Sequence, residues 1–378
     1  MRAAGLTSVL AAALLLAAST ADAPRSVAPA GGARTLRAAA SATGGGWSDE
    51  QVRRYAAVYD VVVVGASARA ARVQLFHQAR PGILVLAYTC GFDVQEDAPL
   101  FAWIRDRHPE WFLRDAAGRP VHTYRDAKRW ALDCGRDDVR AFFADSARRR
   151  VRELGADGIL EDNVMPSWDY RNLAAGATRL ERYASVAEWR AALERYLEAL
   201  EQAVAPAVVA ANEVVPWTSH ARIAAVEQLP PGGPRWEEIV RGFAALARDS
   251  ARIPYLQLHL DGPQDPMRAF ATASFLLAVE PGALLSLQWD GPREAVETLP
   301  EYRLYLGRPL GPAQQALGVW WRDFERARVI VNPTSGELRA PWPSWCDGGR
   351  AATLPARHAG IAWRPGVPHE LLPQWVTP

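Results

Sequence analysis

The sequence predicts an α/β fold, a (β/α)8 TIM barrel with a short irregular or β C-terminal extension, on three observations. Eight short apolar runs lie between residues 60 and 289, most of them continuous rather than alternating, as strands buried on both faces are. Helical stretches alternate with these runs, the order that builds a parallel sheet. Six of the eight runs end in, or are followed at once by, a carboxylate, amide or imidazole. In a barrel the carboxyl ends of the strands converge on one rim, where chemistry is done.

The elements follow in chain order. Met1 and Arg2 open a positive start, Leu6 to Ala18 is an apolar Ala/Leu run, and Ala21-Asp22-Ala23 offers small residues for cleavage. This is the pattern of a secretory signal peptide over residues 1–23. The apolar run is shorter than the roughly 20 residues a spanning helix needs. Residues 24–46, rich in Ala, Gly, Ser and Pro, read as a flexible tether. Ser48 with Gln51 forms a capping box that opens a helix reaching Val58.

Strands are expected at 60–65, 83–88, 130–133, 158–163, 208–212, 223–227, 255–259 and 284–289. Val139, Phe143, Ala147, Val151 and Leu154 recur at helical spacing, and Gly155 supplies the stop. A second capping box at Ser185–Glu188 opens a helix along Trp189, Leu193, Leu197, Leu200 and Val204, and Ile239, Phe243 and Leu246 mark another. One unit fits badly, because only nine residues separate Asn212 from Arg222, too few for a helical crossover. That gap leaves an open doubly wound sheet as the alternative. The barrel is expected over 47–331 and the extension over 332–378, where Trp342 or Trp345 offers a groove wall.

Composition narrows the function. With 43 Lys+Arg against 42 Asp+Glu, the chain has no sign bias to draw nucleic acid or an anionic membrane. Three cysteines make neither a disulfide scaffold nor a finger-type zinc site. In an exported protein Cys90 and Cys134, each after an apolar run, are placed either to pair or to stay as buried thiols. Seven histidines include no His-Glu-x-x-His, and the chain holds no Gly-x-Ser-x-Gly elbow and no Walker loop. Neither a metal nor a cofactor is expected. Paired carboxylates remain, and hydrolysis of a glycosidic bond needs two of them: one to protonate the departing oxygen, one to attack the anomeric centre or activate water.

The stretch His108-Pro109-Glu110-Trp111-Phe112-Leu113-Arg114-Asp115-Ala116-Ala117-Gly118-Arg119-Pro120-Val121 resembles the hypothetical glycoside-hydrolase-like family numbered group fifteen. Asp157-Gly158-Ile159-Leu160-Glu161-Asp162-Asn163-Val164 is similar to that family's Asp-Gly-x-x-x-Asp-Asn signature, and Arg322-Asp323-Phe324 with Val329-Ile330-Val331-Asn332-Pro333 is similar to its ending. The resemblance implies a TIM barrel acting on carbohydrate. It puts the family's strand-four aspartate on Asp162 and the carboxylate ending its sixth strand on Glu227. Glu161 departs from the pattern, standing where relatives carry an apolar or small residue. Adjacent strand residues point to opposite faces, so only one of Glu161 and Asp162 faces the rim; the signature favours Asp162.

The roles expected are Asp162 as nucleophile or base and Glu227 as general acid, kept protonated by the apolar run Ala224-Ala225-Val226 before it. Tyr88, Trp111, Trp168 and Trp289 are candidate platforms for sugar rings. Asp133, Asn163, Asn212, Gln257 and His259 are candidate binders of hydroxyls. The favoured function is a secreted or periplasmic glycoside hydrolase without cofactor, monomeric and off the membrane once its signal is cleaved. The alternative is a non-catalytic carbohydrate-binding barrel; a metal-dependent deacetylase or a lyase ranks third. Sugar, linkage and stereochemical outcome stay open.

Overall fold

A computed structural model describes residues 34–42, 47–123, 126, 128–167, 179–212, 215, 220–289, 299–346, 353–368, 372 and 375–377. The expected signal peptide, most of the expected tether and Trp168 lie outside these residues. Eight strands close into a parallel barrel: β1 (Arg37–Ala42), β2 (Val61–Val64), β3 (Leu84–Thr89), β4 (Gly158–Glu161), β5 (Val208–Ala211), β6 (Ile223–Glu227), β7 (Ile253–Leu260) and β8 (Leu284–Trp289). Each pairs with its neighbours in chain order, and β8 closes on β1 with Arg37 opposite Leu284. Around them run α1 (Asp49–Val58), α2 (Ala70–Ala79), α3 (Pro99–Arg107), α4 (Asp137–Leu154), α5 (Val186–Val204), α6 (Gly233–Leu246) and α7 (Met267–Leu276). Among the described residues no helix joins β5 to β6, as the short spacing implied, and none is long and apolar enough to cross a membrane.

Alternation along the strands builds two cores. Ala39, Val61, Val63, Leu84, Leu86, Leu160, Ala210, Ile223, Ala225, Tyr255 and Leu284 fill the barrel interior. The residues between them, among them Val62, Val85, Ile159, Val209, Ala224, Leu256 and Leu285, pack outward in the larger cluster that includes the helices. Burial on both faces is why these strands read as unbroken apolar runs. At the amino-terminal end the carboxylates are tied to backbone: Asp60 Oδ2 accepts from the Ala38 N–H at 2.9 Å, and Asp157 Oδ2 from the Val85 N–H at 2.8 Å. The carboxyl end is where strand-terminal polar groups face each other.

Three expectations are corrected. Arg37–Ala42 lies inside the stretch expected to be a tether, yet it is the first barrel strand. Its small side chains make it look like linker, and only the burial of Ala38, Ala39 and Ala40 between β8 and β2 reveals its role. Trp130–Asp133 is not a barrel strand: Arg129–Ala131 pairs antiparallel with Asp93–Gln95 in an excursion between β3 and α4. That excursion has its own core of Val94, Phe101, Ile104, Trp111, Phe112, Leu132 and Val139. The extension begins well before residue 332, because Ala327–Asn332 is the third strand of an antiparallel sheet ordered Gln314–Ala316, Val319–Asp323, Ala327–Asn332, His358–Trp363.

The late motif is explained by this sheet. The Arg322 guanidinium donates to the carbonyls of Leu276 and Val279 and pairs with Glu280, clamping the sheet onto the end of α7. Asn332 Nδ2 donates to the carbonyls of Gly336, Leu354 and Pro355, holding the strand against its neighbours. Trp342 is buried in the sheet's own core with Val319, Ile330 and Leu354, and Trp345 stacks against Arg328 and Arg364, so neither is bound up with the strand ends of the barrel.

Candidate active site

Inner-facing strand parity selects the site. Tyr88 continues Leu84 and Leu86; Asp162 continues Leu160; Asn212 continues Val208 and Ala210; Glu227 continues Ile223 and Ala225; Gln257 and His259 continue Ile253 and Tyr255. Two misreadings cancelled in the sequence, since the missed first strand and the spurious third leave Asp162 after the fourth strand and Glu227 at the end of the sixth.

The centre is Asn212, whose Nδ2 donates to Asp162 Oδ1 at 3.0 Å and to Glu227 Oε2 at 3.0 Å. Two oxygens that share one nitrogen at that distance lie no more than about 6 Å apart, and the angle between amide N–H bonds brings them nearer about 5 Å. Asp162 Oδ1 also accepts from the Asn163 N–H at 2.8 Å, and its Oδ2 accepts from the Tyr88 hydroxyl at 2.8 Å. Burial, and the negative charge of Asp162, push the Tyr88 phenol well above its ordinary pKa, so it stays a donor. Glu227 Oε1 faces His259 Nε2 at 2.9 Å. Its side chain is 30% exposed, and its carboxyl looks into the rim at Asn212 and His259.

Backbone geometry around the pair is unusual. Asn163 and Gln228, each directly after one of the carboxylates, hold φ of 59° and 69°. Non-glycine residues seldom occupy the left-handed region, and they cluster at functional sites when they do. The turn at Asn163 carries its own side chain away from the rim, Nδ2 reaching Asp93 Oδ2 at 3.3 Å and Cys90 Sγ at 3.6 Å.

Glu161 takes the opposite face from Asp162. It is fully buried toward α5, where Oε1 accepts from the Gly91 N–H at 2.6 Å and the Tyr196 hydroxyl at 2.9 Å, and Oε2 from the Thr89 hydroxyl at 2.6 Å. Burial pushes its pKa up to about 7, against the pull of these three hydrogen bonds.

Several candidates fall elsewhere. Trp111 is a core residue of the excursion, its indole donating to Asp138. Asp133 is buried beneath Arg182 and the Tyr183 hydroxyl. Trp289 has outward parity and packs on the helix-facing core. Asn163 contributes its backbone N–H rather than its amide. Cys90 and Cys134 are free thiols, the former against Asp93 and Asn163. Tyr88, Asn212, Gln257 and His259 do gather with Asp162 and Glu227. Gln288, opposite His259 in the β7–β8 register, went unread; its Nε2 is buried without a hydrogen-bond partner among the described residues. The polar alternation Ser286, Gln288 along an otherwise apolar strand was the available signal.

The glycoside hydrolase domain of PelA from Pseudomonas aeruginosa is similar in structure, with 17% identity, 68% of this chain and 96% of that chain covered, and a TM-score of 0.48. The maltogenic α-amylase AmyB from Thermotoga neapolitana is similar at 14% identity over 80% of this chain and 87% of its own, with a TM-score of 0.46. The α-galactosidase AgaA from Geobacillus stearothermophilus is similar at 11% identity over 88% of this chain and 55% of its own, with a TM-score of 0.46. No curated protein sequence matches. The model of hypothetical glycosyl hydrolase family 15 matches residues 77–328, two thirds of the chain from α2 into the C-terminal sheet and through both strands that bear the carboxylates, and the chain belongs to that family.

Proposed function

We propose that this protein is an exported glycoside hydrolase that cleaves an oligo- or polysaccharide with retention, Asp162 acting as nucleophile and Glu227 as general acid and then base. The observation that carries the reading is the one amide nitrogen of Asn212 reaching both carboxyls at 3.0 Å. Retaining enzymes hold their carboxyl groups about 5 to 5.5 Å apart, whereas inverting ones leave about 6.5 to 9.5 Å for a water. Asp162 Oδ1 carries two donors and Oδ2 one, so Oδ2 keeps a lone pair for attack.

In the first half-reaction Asp162 Oδ2 bonds to the anomeric carbon as the glycosidic C–O bond breaks, and the Glu227 proton passes to the departing oxygen. In the second, water gives its proton to Glu227 and its oxygen to the anomeric carbon, and the bond to Asp162 breaks. Asn212 holds both carboxyls in register through the cycle. Export rests on the amino-terminal pattern of residues 1–23 alone.

The test is a screen of the purified protein against bacterial and plant polysaccharides, followed by Asp162→Asn and Glu227→Gln on whichever substrate is cut. Each substitution is expected to lower turnover at least about a thousandfold, a loss of about 4 kcal/mol of transition-state stabilisation, with sugar binding retained. A protein that binds sugar but turns none over is the carbohydrate-binding barrel instead. Turnover surviving Asp162→Asn contradicts the assignment of the nucleophile.

A further inference from the structure

His259 commits one ring nitrogen to its neighbours within the site. Nε2 lies 2.9 Å from Glu227 Oε1 and 3.3 Å from Gln257 Nε2. The Tyr255 hydroxyl donates to Gln257 Oε1 at 3.1 Å, which turns the Gln257 amide so that its N–H, not its carbonyl, is aimed at the imidazole. One ring nitrogen therefore faces an acceptor on one side and a donor on the other. It satisfies them in different protonation states: a protonated Nε2 donates to an ionised Glu227, and a bare Nε2 accepts from Gln257 when Glu227 carries its own proton.

From this juxtaposition we infer that His259 is the positioning residue of the acid/base carboxyl, a two-state partner oriented by Gln257 and Tyr255 that accommodates Glu227 both as acid and as base. The inference rests on the proposed role of Glu227. A retaining cycle requires that carboxyl to be protonated when the leaving group departs and ionised when water attacks. A fixed cation beside it would hold it ionised throughout, and a fixed apolar wall would hold it protonated. The His259–Gln257 pair is neither. The His259 side chain is 47% exposed, so its proton exchanges with solvent between half-reactions. Among the described residues the groups that contact Glu227 and His259 are the neutral amides of Asn212 on β5 and Gln257 on β7, with the Tyr255 phenol behind Gln257, and Asp162 reaches Glu227 through Asn212. Asp162 adds a negative charge common to both states.

The experiment is an imidazole nitrogen–proton NMR titration of the full chain, with the His259 signals identified by their loss in His259→Gln. In Glu227→Gln the His259 titration is expected to fall by at least about one pH unit, a tenfold loss of proton affinity, because the carboxylate partner is gone. In Gln257→Leu it is expected to rise, because the donor that favours the bare nitrogen is gone. Unchanged titration in Glu227→Gln, or a fall in Gln257→Leu, overturns the inference. Turnover of Asp162→Asn reads the reaction separately: an inert wild-type protein with both shifts intact contradicts the hydrolase reading and leaves the proton pair, whereas an active one without the shifts contradicts only the pair.

Discussion

Glu161 and Asp162 are neighbours in the chain and opposites in environment. Strand alternation turns one toward helix α5 and the other into the barrel mouth, so two carboxylates of similar chemistry acquire unlike work. Thr89 Oγ1 lies 2.6 Å from Glu161 Oε2 and 3.2 Å from the Leu160 carbonyl, and it has one proton for two acceptors. When Glu161 takes up a proton it can donate to Thr89 in place of accepting from it, and the Thr89 proton then goes to the Leu160 carbonyl. With its folded pKa raised to about 7 from 4.5, the folded state holds the proton more tightly than the unfolded chain does. That contribution is whole below about pH 4.5 and is lost as pH rises to about 7, amounting to a term on the order of 3 kcal/mol. Glu161→Gln keeps an acceptor for Gly91 and Tyr196 and a donor for Thr89. Denaturant unfolding should therefore show the variant gaining on the wild type between pH 5 and 7.5, by up to about 3 kcal/mol; parallel stabilities across that range contradict the protonated network. At the neighbouring amide, Asn212→Ala removes the bridge and leaves Asp162 and Glu227 to repel, so turnover should fall about ten- to a hundredfold with the fold intact by circular dichroism.

Among the elements, what the sequence disclosed depended on side-chain bulk. Valine and leucine runs announced β2, β3 and β8, and strand-end polar residues announced Asp162, Asn212 and Glu227. Arg37–Ala42 offered only alanine and serine between its ends, and small residues carry no periodic signal that distinguishes a strand from a linker. The Trp130–Asp133 run looked like a barrel strand because an antiparallel excursion strand covered on one side is apolar for its own reasons. Trp111 misled similarly, since a tryptophan near a strand end is as readily a core residue as a platform. The backbone-driven parts were legible only with coordinates. A methyl group on Gly158 would sit 2.0 Å from the Val208 carbonyl oxygen across β4 and β5, so Gly158→Ala has to spread the strands beneath the Asp162–Asn212 contact. The expected cost is about 2 to 3 kcal/mol, seen as a melting point lower by several degrees, with turnover falling further than stability alone explains.

For the whole molecule, the two ends of one barrel hold their carboxylates differently. Asp60 and Asp157 at the amino-terminal end each accept a backbone N–H and pair with Arg80 and His77 respectively, whereas the carboxylates at the other end meet amide, phenol and imidazole side chains. The C-terminal sheet is fastened to the outside by Arg322 on the carbonyls of Leu276, the last residue of α7, and Val279 just beyond it, so its part of the family pattern is architectural. Arg322→Ala should free the sheet for limited proteolysis near residue 311 while leaving turnover within about twofold, since Asp162 and Glu227, which bond the Asn212 side chain, come from barrel strands and their ends. The proposed chemistry has Asp162 and Glu227 acting on one bond from within about 6 Å of each other. Its most direct test is mass-spectrometric mapping of the protein after reaction with a 2-deoxy-2-fluoro glycosyl fluoride of the sugar it hydrolyses. A single glycosyl adduct on Asp162 is expected, accumulating in Glu227→Gln with an activated leaving group; an adduct on another carboxylate, or turnover with inversion and no adduct, rules out Asp162 as the nucleophile.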